Sequence, residues 1–337
     1  MDHSTVFVGV DYATAFVQVC VLDIRGRQLA NGRCSNDWRS IADFVARHGR
    51  HVRASIEACS GAADLAEELL SEADWSIDLA HPGYVARMKA NPDKTDFSDA
   101  RMLADLVRVG YLPRVWLAPQ SIRELRRLVR YRQDLVKRRT ALKLRIRALL
   151  RDHRIKPPEG VNPWTRVWWA WVAALDLPEH SRWIIDRSIE DLIDVSRRVE
   201  AATAHLEKAT ADDRFVEEML AMSGIGLVTA CAIRAEVGDP ARFKTGRQLA
   251  RFCGLSPQNA SSGERQADAG LISACNHGFR AILIEAAHRL KRYDPRWARM
   301  ASGLRARGKP GSVIAAAVAN RWVRWLYHRL IEMRPAA

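Results

Sequence analysis

The chain has 337 residues, enough for two or three domains with a sizeable core. Six scattered cysteines without a C-x-x-C pair exclude a disulfide framework and a cysteine zinc site and fit a reducing compartment; no apolar run reaches eighteen residues, so no membrane span is expected. The formal net charge of +14 is unevenly placed: Lys/Arg against Asp/Glu number 10 and 15 in residues 1–100, 16 and 4 in 101–154, 8 and 11 in 155–215, and 19 and 9 in 216–337. Two long basic blocks of this kind are what a protein that grips a polyanion such as nucleic acid presents. The opening MDHSTVFVGVDYA has no basic region followed by an apolar run, so no signal peptide is expected and a cytoplasmic location is.

In chain order, VFVGVDYA reads as a buried strand ending in an acid, VQVCVLD as an alternating second strand, and QLANGRC as a third. DWRSIADFVARHG has helical spacing, with Trp38, Ile41, Phe44 and Val45 on one face. VRASIEA, GAADLAEELLSEA and SIDLAHP follow as strand, helix and strand, and DFSDARMLADL opens a further helix. The order β-β-β-α-β-α-β-α predicts a mixed sheet with helices packed on it. Beyond Pro119 no glycine or proline interrupts the chain as far as Arg154. Ile122, Leu125, Val129, Val136, Leu142, Ile146 and Leu149 recur at spacings of three, four or their sums. This spacing predicts one amphipathic helix of about 35 residues, roughly 50 Å long. Its remaining faces carry Arg123, Arg126, Arg127, Arg130, Lys137, Arg138, Lys143 and Arg147, the candidate nucleic-acid contacts. Ile185, Ile189, Leu192, Val199, Thr203 and Leu206 form a second series able to pair with the first as an antiparallel coiled coil. The tryptophans of WTRVWWAWVAALDL, at helical spacing, are expected to pack on a partner helix rather than to stack on bases.

After Arg214, MLAMSGIGLVTACAIRAEVGDPARF reads as helix, tight turn, helix. Gly224 and Gly226 either leave backbone amides free for a phosphate or simply make a helix–helix turn. A polar loop, LSPQNASSGERQADAG, and two more helices are expected to complete the chain. The expected division is residues 1–117 for the sheet domain, 118–214 for the helical linker and 215–337 for a mainly helical C-terminal domain.

Four acids stand out. Asp11 ends the first strand and Glu57 the fourth; Asp96 and Asp99 open the last helix of the sheet domain. First and fourth strands in this order are usually neighbours, and helix residues three apart can aim at one point. Each acid alone fits a strand end or a helix start. Converged, four carboxylates would need a cation to offset their repulsion, and hard oxygen ligands suit magnesium, with manganese as a substitute. Two such ions could support both oxygens of a phosphodiester displacement.

GVDYA, SIEACSG and DKTDFSDARMLADL resemble the RuvC-like Asp-Glu-Asp-Asp domain of a family of bacterial insertion-sequence transposases that includes the Piv-type DNA invertases. MSGIGLVTACAIRAEVGDPARFKTGRQLARFCGLSPQNASSGERQ resembles the C-terminal transposase domain of the same family, in the same order. The resemblance implies an RNase H-like (RuvC-like) domain with Asp11, Glu57, Asp96 and Asp99 as magnesium ligands. It implies a serine nucleophile that forms a covalent phosphoserine link to DNA. That serine falls in NASSGE on Ser262, directly before Gly263, in preference to Ser261. It further implies donor and target DNA, a structured non-coding guide RNA, dimers that pair into tetramers, and a nucleoid-associated bacterial protein. The sequence departs from the expected pattern after the serine loop, where Ala274 and Cys275 stand in place of basic residues; Arg265 and Arg280 are then the candidate phosphate contacts.

Overall fold

The computed structural model describes residues 5–88, 95–259 and 268–333. These fall into two compact units, Met1–Gln120 and Ser121–Ala337.

The first unit is built on a six-stranded mixed sheet. Its strands are β1 (Thr5–Tyr12), β2 (Phe16–Leu22), β3 (Gln28–Ser35), β4 (His51–Glu57), β5 (Ser76–Ala80) and β6 (Arg114–Val115), in the spatial order β3-β2-β1-β4-β5-β6. The β1–β2–β3 meander is antiparallel, and β4 and β5 join it in parallel. β1 reads as a continuous apolar run because both sheet faces are covered at its central position. On one face Val6, Val8, Val10, Val17, Val19 and Val21 form a core with Ile41 and Val45 of α1 (Trp38–Ala46) and Leu65, Ala66 and Leu69 of α2 (Ala62–Glu72). On the other, Phe7, Cys20 and Leu22 pack against Ala100, Ala104 and Val107 of α4 (Asp96–Arg108). The expected strand and helix order is present, with two additions: a seven-residue helix, α3 (Pro82–Met88), and the short edge strand β6, which pairs with β5 through Leu79 and Ala80. Two residues of pairing are too few to leave a period in the sequence.

The second unit is helical. α5 (Gln120–Asp152) and α7 (Glu179–Ala209) run antiparallel: Arg132 Nε donates to Thr203 Oγ1 at 2.8 Å near one end, and His153 Nε2 lies 2.8 Å from Ser181 Oγ near the other. Between these points Leu135 packs with Val199 and Ala202, and Leu142, Ile146 and Leu150 pack with Ile185 and Leu192. The buried positions are Leu135 and Leu150 where the spacing pointed to Val136 and Leu149, a shift of one residue in each case. α6 (Arg166–Ala173) carries the tryptophans; Trp168 is 2% exposed and meets the rings of Trp164, Trp169 and Trp171 in the hairpin core. These rings pack within the protein, as their helical spacing suggested.

α8 (Arg214–Leu220), α9 (Leu227–Val237) and α10 (Gly246–Phe252) lead to a two-stranded hairpin, β7 (Pro257–Asn259) and β8 (Asp268–Leu271). Three helices follow, where two were expected: α11 (His277–Tyr293), α12 (Pro295–Ala306) and α13 (Gly311–Glu332). Asp294 ends α11 and caps α12 through hydrogen bonds from the Arg296 and Trp297 amides, so one uninterrupted amphipathic pattern is cut into two helices by a cap and Pro295. Phe279, Leu283, Ala287, Trp297, Ile314, Trp322 and Leu326 close this core, which also takes Val129 of α5 and Leu206 of α7.

Candidate functional site

The strand register fixes two of the four acids. Val10 pairs with Ile56 in the parallel β1–β4 ladder, and both are wholly buried. Side chains alternate, so Asp11 and Glu57, the next residues on each strand, project to the opposite face. That face belongs to α4. Gly9 is the reason the helix lies so close: a side chain there would overlap the Ala100 carbonyl oxygen and the Ala104 amide. Ser55, opposite Gly9, anchors the helix by donating from Oγ to the Leu103 carbonyl at 2.9 Å. The helix is laid over Phe7 and Gly9 by residues 100–107, and its first turn extends beyond them toward the strand ends.

Asp99 is on the sheet-facing side of that first turn and is 5% exposed. Asp11, Glu57 and Asp99 therefore share one face of the sheet. Asp96 is turned elsewhere: its side chain is 46% exposed and meets Arg33 of β3 at 3.7 Å. The backbone beside it is held toward the same strand, since Asn31 Nδ2 donates to the Phe97 carbonyl at 3.1 Å. Thr95, not Asp96, caps the helix; its Oγ1 accepts from the Ser98 amide, and Ser98 Oγ accepts from the Thr95 amide. Among the described residues no three His, Cys, Asp or Glu side chains stand close enough to hold a metal ion. The full convergence expected of the four acids is thus not present in this arrangement, and the pairing of Asp96 with Arg33 supplies a physical reason for one of the four. The donor set itself, three carboxylates on one face with one nearly buried, has the hardness and charge that suit a divalent cation.

A residue not singled out in the sequence lies beside these acids. Cys59, exposed in the loop after β4, has its thiol pushed above the ordinary value by burial of the sulfur and then by the Glu57 and Asp11 carboxylates. The end of β1 is tied to the same loop by Tyr12, which packs against Gly61; the latter's φ of 91° is left-handed backbone, and a side chain there would overlap the Tyr12 hydroxyl.

The basic residues of α5 divide into two groups. Arg130 makes a forked pair with Glu236 of α9, Nε to Oε1 at 3.0 Å and a terminal nitrogen to Oε2 at 3.2 Å. Arg126 donates to the Ala235 carbonyl at 3.1 Å and lies 3.9 Å from the same carboxylate; burial holds its guanidinium below the ordinary arginine value. Arg127 pairs with Glu124, and Lys137 with Asp134 at 2.9 Å. Lys143 lies 4.9 Å over the Trp164 ring, its pKa lowered by burial and then by Arg139. Arg138 and Arg147 are exposed, and Arg123 is half-buried. Arg138 lines a cavity of about 290 Å³ with Arg145, Leu142, Asp191 and Asp194. Glu236, 4% exposed, was missed in the sequence; its signal is a single acid within the apolar run of α9, facing a basic helix.

Gly224 takes φ +82° with the Leu290 amide 3.3 Å from where a side chain would start, and its carbonyl accepts from Arg289 Nε at 3.1 Å. Gly226 caps α9. The turn is thus engaged by Arg289, which favours the helix–helix role over a phosphate cradle. Arg280 is likewise committed: one terminal nitrogen donates to the Ile272 carbonyl at 2.7 Å and the Gly254 carbonyl at 3.3 Å, and the other meets His277. Cys275, where charge was expected, fills the space left by Gly254. Ser261, Ser262, Gly263 and Arg265 lie outside the described residues.

No helix among the described residues is long and apolar enough to cross a membrane. A family profile described as a transposase, the DEDD domain of IS110 elements, matches residues 8–155, and one described as "Transposase IS116/IS110/IS902 family" matches residues 216–301. The chain is 28% identical over 340 residues to the "Probable family 20 transposase" of Pseudomonas aeruginosa, covering 95% of each. It is 25% identical to the transposase for insertion sequence element IS1111A of Coxiella burnetii, over 85% of this chain and 78% of that one. It is also 25% identical to the transposase for IS1328 of Yersinia enterocolitica, over 80% of this chain and 81% of that one. Both halves of the molecule, in this order, place it in one group: the chain belongs to the IS110/IS116/IS902 family of transposases.

Proposed function

We propose that this transposase cuts and rejoins the DNA of an insertion element through a serine nucleophile, with an RNase H-like sheet domain of residues 1–117, a helical linker of 118–214 and a C-terminal domain of 215–337. The observation that carries the reading is the sharing of one sheet face by Asp11, Glu57 and Asp99 in a chain whose two halves match the two transposase profiles in order. Asp11, Glu57, Asp99 and, once released from Arg33, Asp96 would hold magnesium or manganese. Such an ion, when bound, offsets charge on phosphate oxygens and lowers the pKa of a hydroxyl it touches.

The residues of the chain account for the rest. Ser262 Oγ attacks phosphorus and gives up its hydroxyl proton to solvent; the Oγ–P bond forms as the bridging P–O bond of the strand breaks, and the departing strand oxygen takes up a proton in return. Attack by a strand hydroxyl on the phosphoserine reverses this and frees Ser262. One phosphodiester is exchanged for another, so rejoining needs no nucleotide hydrolysis. Gly263 allows the backbone to approach the phosphate. The same reading takes donor and target DNA as substrates, a structured guide RNA as the source of target choice, and a dimer that pairs into a tetramer as the working assembly.

A suicide DNA substrate run on a denaturing gel tests it. The expected result is a protein–DNA adduct that disappears in Ser262→Ala and persists in Ser261→Ala. Free nicked ends with Ser262→Ala still active would replace the reading by a hydrolytic RuvC-like nuclease.

A further inference from the structure

The basic residues outside α5 are also concentrated. Between Asp239 and Glu264 the sequence has four Lys/Arg and no acid, and between Asp294 and Glu332 it has eight and no acid. The fold brings these two stretches together at one helix pair. Gly246, the first residue of α10, lies on the backbone of α13: a side chain there would sit 2.6 Å from the Arg324 carbonyl oxygen and 3.0 Å from its Cα. Tyr327 of α13 donates to the Phe243 carbonyl at 2.9 Å just ahead of α10, and Asn320 Nδ2 donates to the Leu255 carbonyl at 3.0 Å just after it.

This close approach sets two cationic rows side by side. Arg247 and Arg251 are four residues apart on α10, and Arg321, Arg324 and His328 follow at three and four along α13, so each set shares a helix face. Arg247, Arg251 and Arg321 are exposed and Arg324 is half-exposed. None of the four arginines is in an ion pair among the described residues, in contrast to Arg126 and Arg130 of α5, which are held by Glu236. Phe252, the aromatic ring on α10, is 37% exposed and has the Arg242 guanidinium carbon 4.5 Å from its ring centre. Four arginines against a single ring make the face mainly one of charge, which suits a sequence-independent grip on a phosphodiester backbone.

We propose that the face shared by α10 and α13 binds the phosphodiester backbone of duplex DNA through Arg247, Arg251, Arg321 and Arg324. This rests on the reading of the chain as a DNA transposase and adds a binding surface to it. α13 begins at residue 311, beyond both profile matches, so this half of the face is not among the features by which the family is recognised.

The test is binding of the full chain to a labelled duplex of unrelated sequence across a salt series. Arg247→Gln/Arg321→Gln/Arg324→Gln should lower the slope of log K against log salt by about 0.9 for each phosphate no longer neutralised, so by about 2 to 3. The triple Arg305→Gln/Arg307→Gln/Lys309→Gln removes the same net charge elsewhere and should lower it by less than about 1. The Arg→Lys triple at 247, 321 and 324 should keep most of the slope. An unchanged slope, an equal drop in the control triple, or an equal drop in the Lys triple overturns the proposal. Loss of binding to an RNA hairpin with duplex binding intact overturns DNA as the occupant. Wild-type protein that binds neither duplex nor hairpin would instead sink the reading of the chain as a DNA transposase, and the proposal with it.

Discussion

Asp99 in the sheet unit and Glu236 in the helical unit are nearly equally buried, at 5% and 4% exposure, and they are placed differently in the fold. Glu236 is met by Arg130 and Arg126 and accepts from Asn276 Nδ2 at 3.1 Å. Asp99 shares its sheet face with Asp11 and Glu57. A buried carboxylate supplied with cations by its own fold is a fastener: Glu236 ties α5 to α9 and, through Asn276, to the N-terminus of α11. Asp99 lies instead on the sheet face shared with Asp11 and Glu57 at the strand ends, where, on the proposed function, a divalent cation would be held. The same residue chemistry serves structure in one unit and, on the proposed function, catalysis in the other.

The contrast can be broken from either side. The largest effect is expected at Gly9→Val, where the added side chain collides with the α4 backbone. Overpacking against backbone costs about 3 kcal/mol or more, enough to remove the cooperative melt of the sheet unit in calorimetry. Glu236→Ala comes next: it removes the hydrogen bonds from Arg130 and Asn276, while Arg130, half-exposed, is left to water and Arg126 keeps the Ala235 carbonyl, so the cost is about 1.5–3 kcal/mol, read as a lower urea midpoint. A loss under about 1 kcal/mol would show that Glu236 is not a fastener. Magnesium at about 100 times its Kd should then stabilise the wild type by about 2.7 kcal/mol and leave Asp11→Asn unmoved. Equal stabilisation of both would mean the ion binds elsewhere. The smallest effect is at Thr95→Ala, which removes the α4 cap and one half of its capping box for about 1 kcal/mol.

Much of this molecule was legible in the chain. The β-β-β-α-β-α-β-α order, the long basic helix and its antiparallel partner could be read from period and from breaker residues, because each is set by local spacing over many residues. What escaped were elements too short to have a period, namely α3, β6 and the β7–β8 hairpin, and the division between α11 and α12, which hangs on one residue that ends one helix and caps the next. The site divides in the same way. That Asp11 and Glu57 end neighbouring strands follows from strand order.

The pairings of side chains did not follow. Arg126, Arg130 and Arg280 looked like free cations in the sequence, since a row of arginines on one helix face gives no hint of an acid more than a hundred residues away or of a carbonyl across a loop. Asp96 looked equivalent to Asp99, but the crossing of α4 over the sheet brings it to Arg33. Sequence by itself determined which elements form and which side chains are acidic, basic or apolar, because those are properties of short stretches. Tertiary structure alone decided which charges meet, because ion pairing acts over a few ångströms of space and the chain distance between partners carries no information about it.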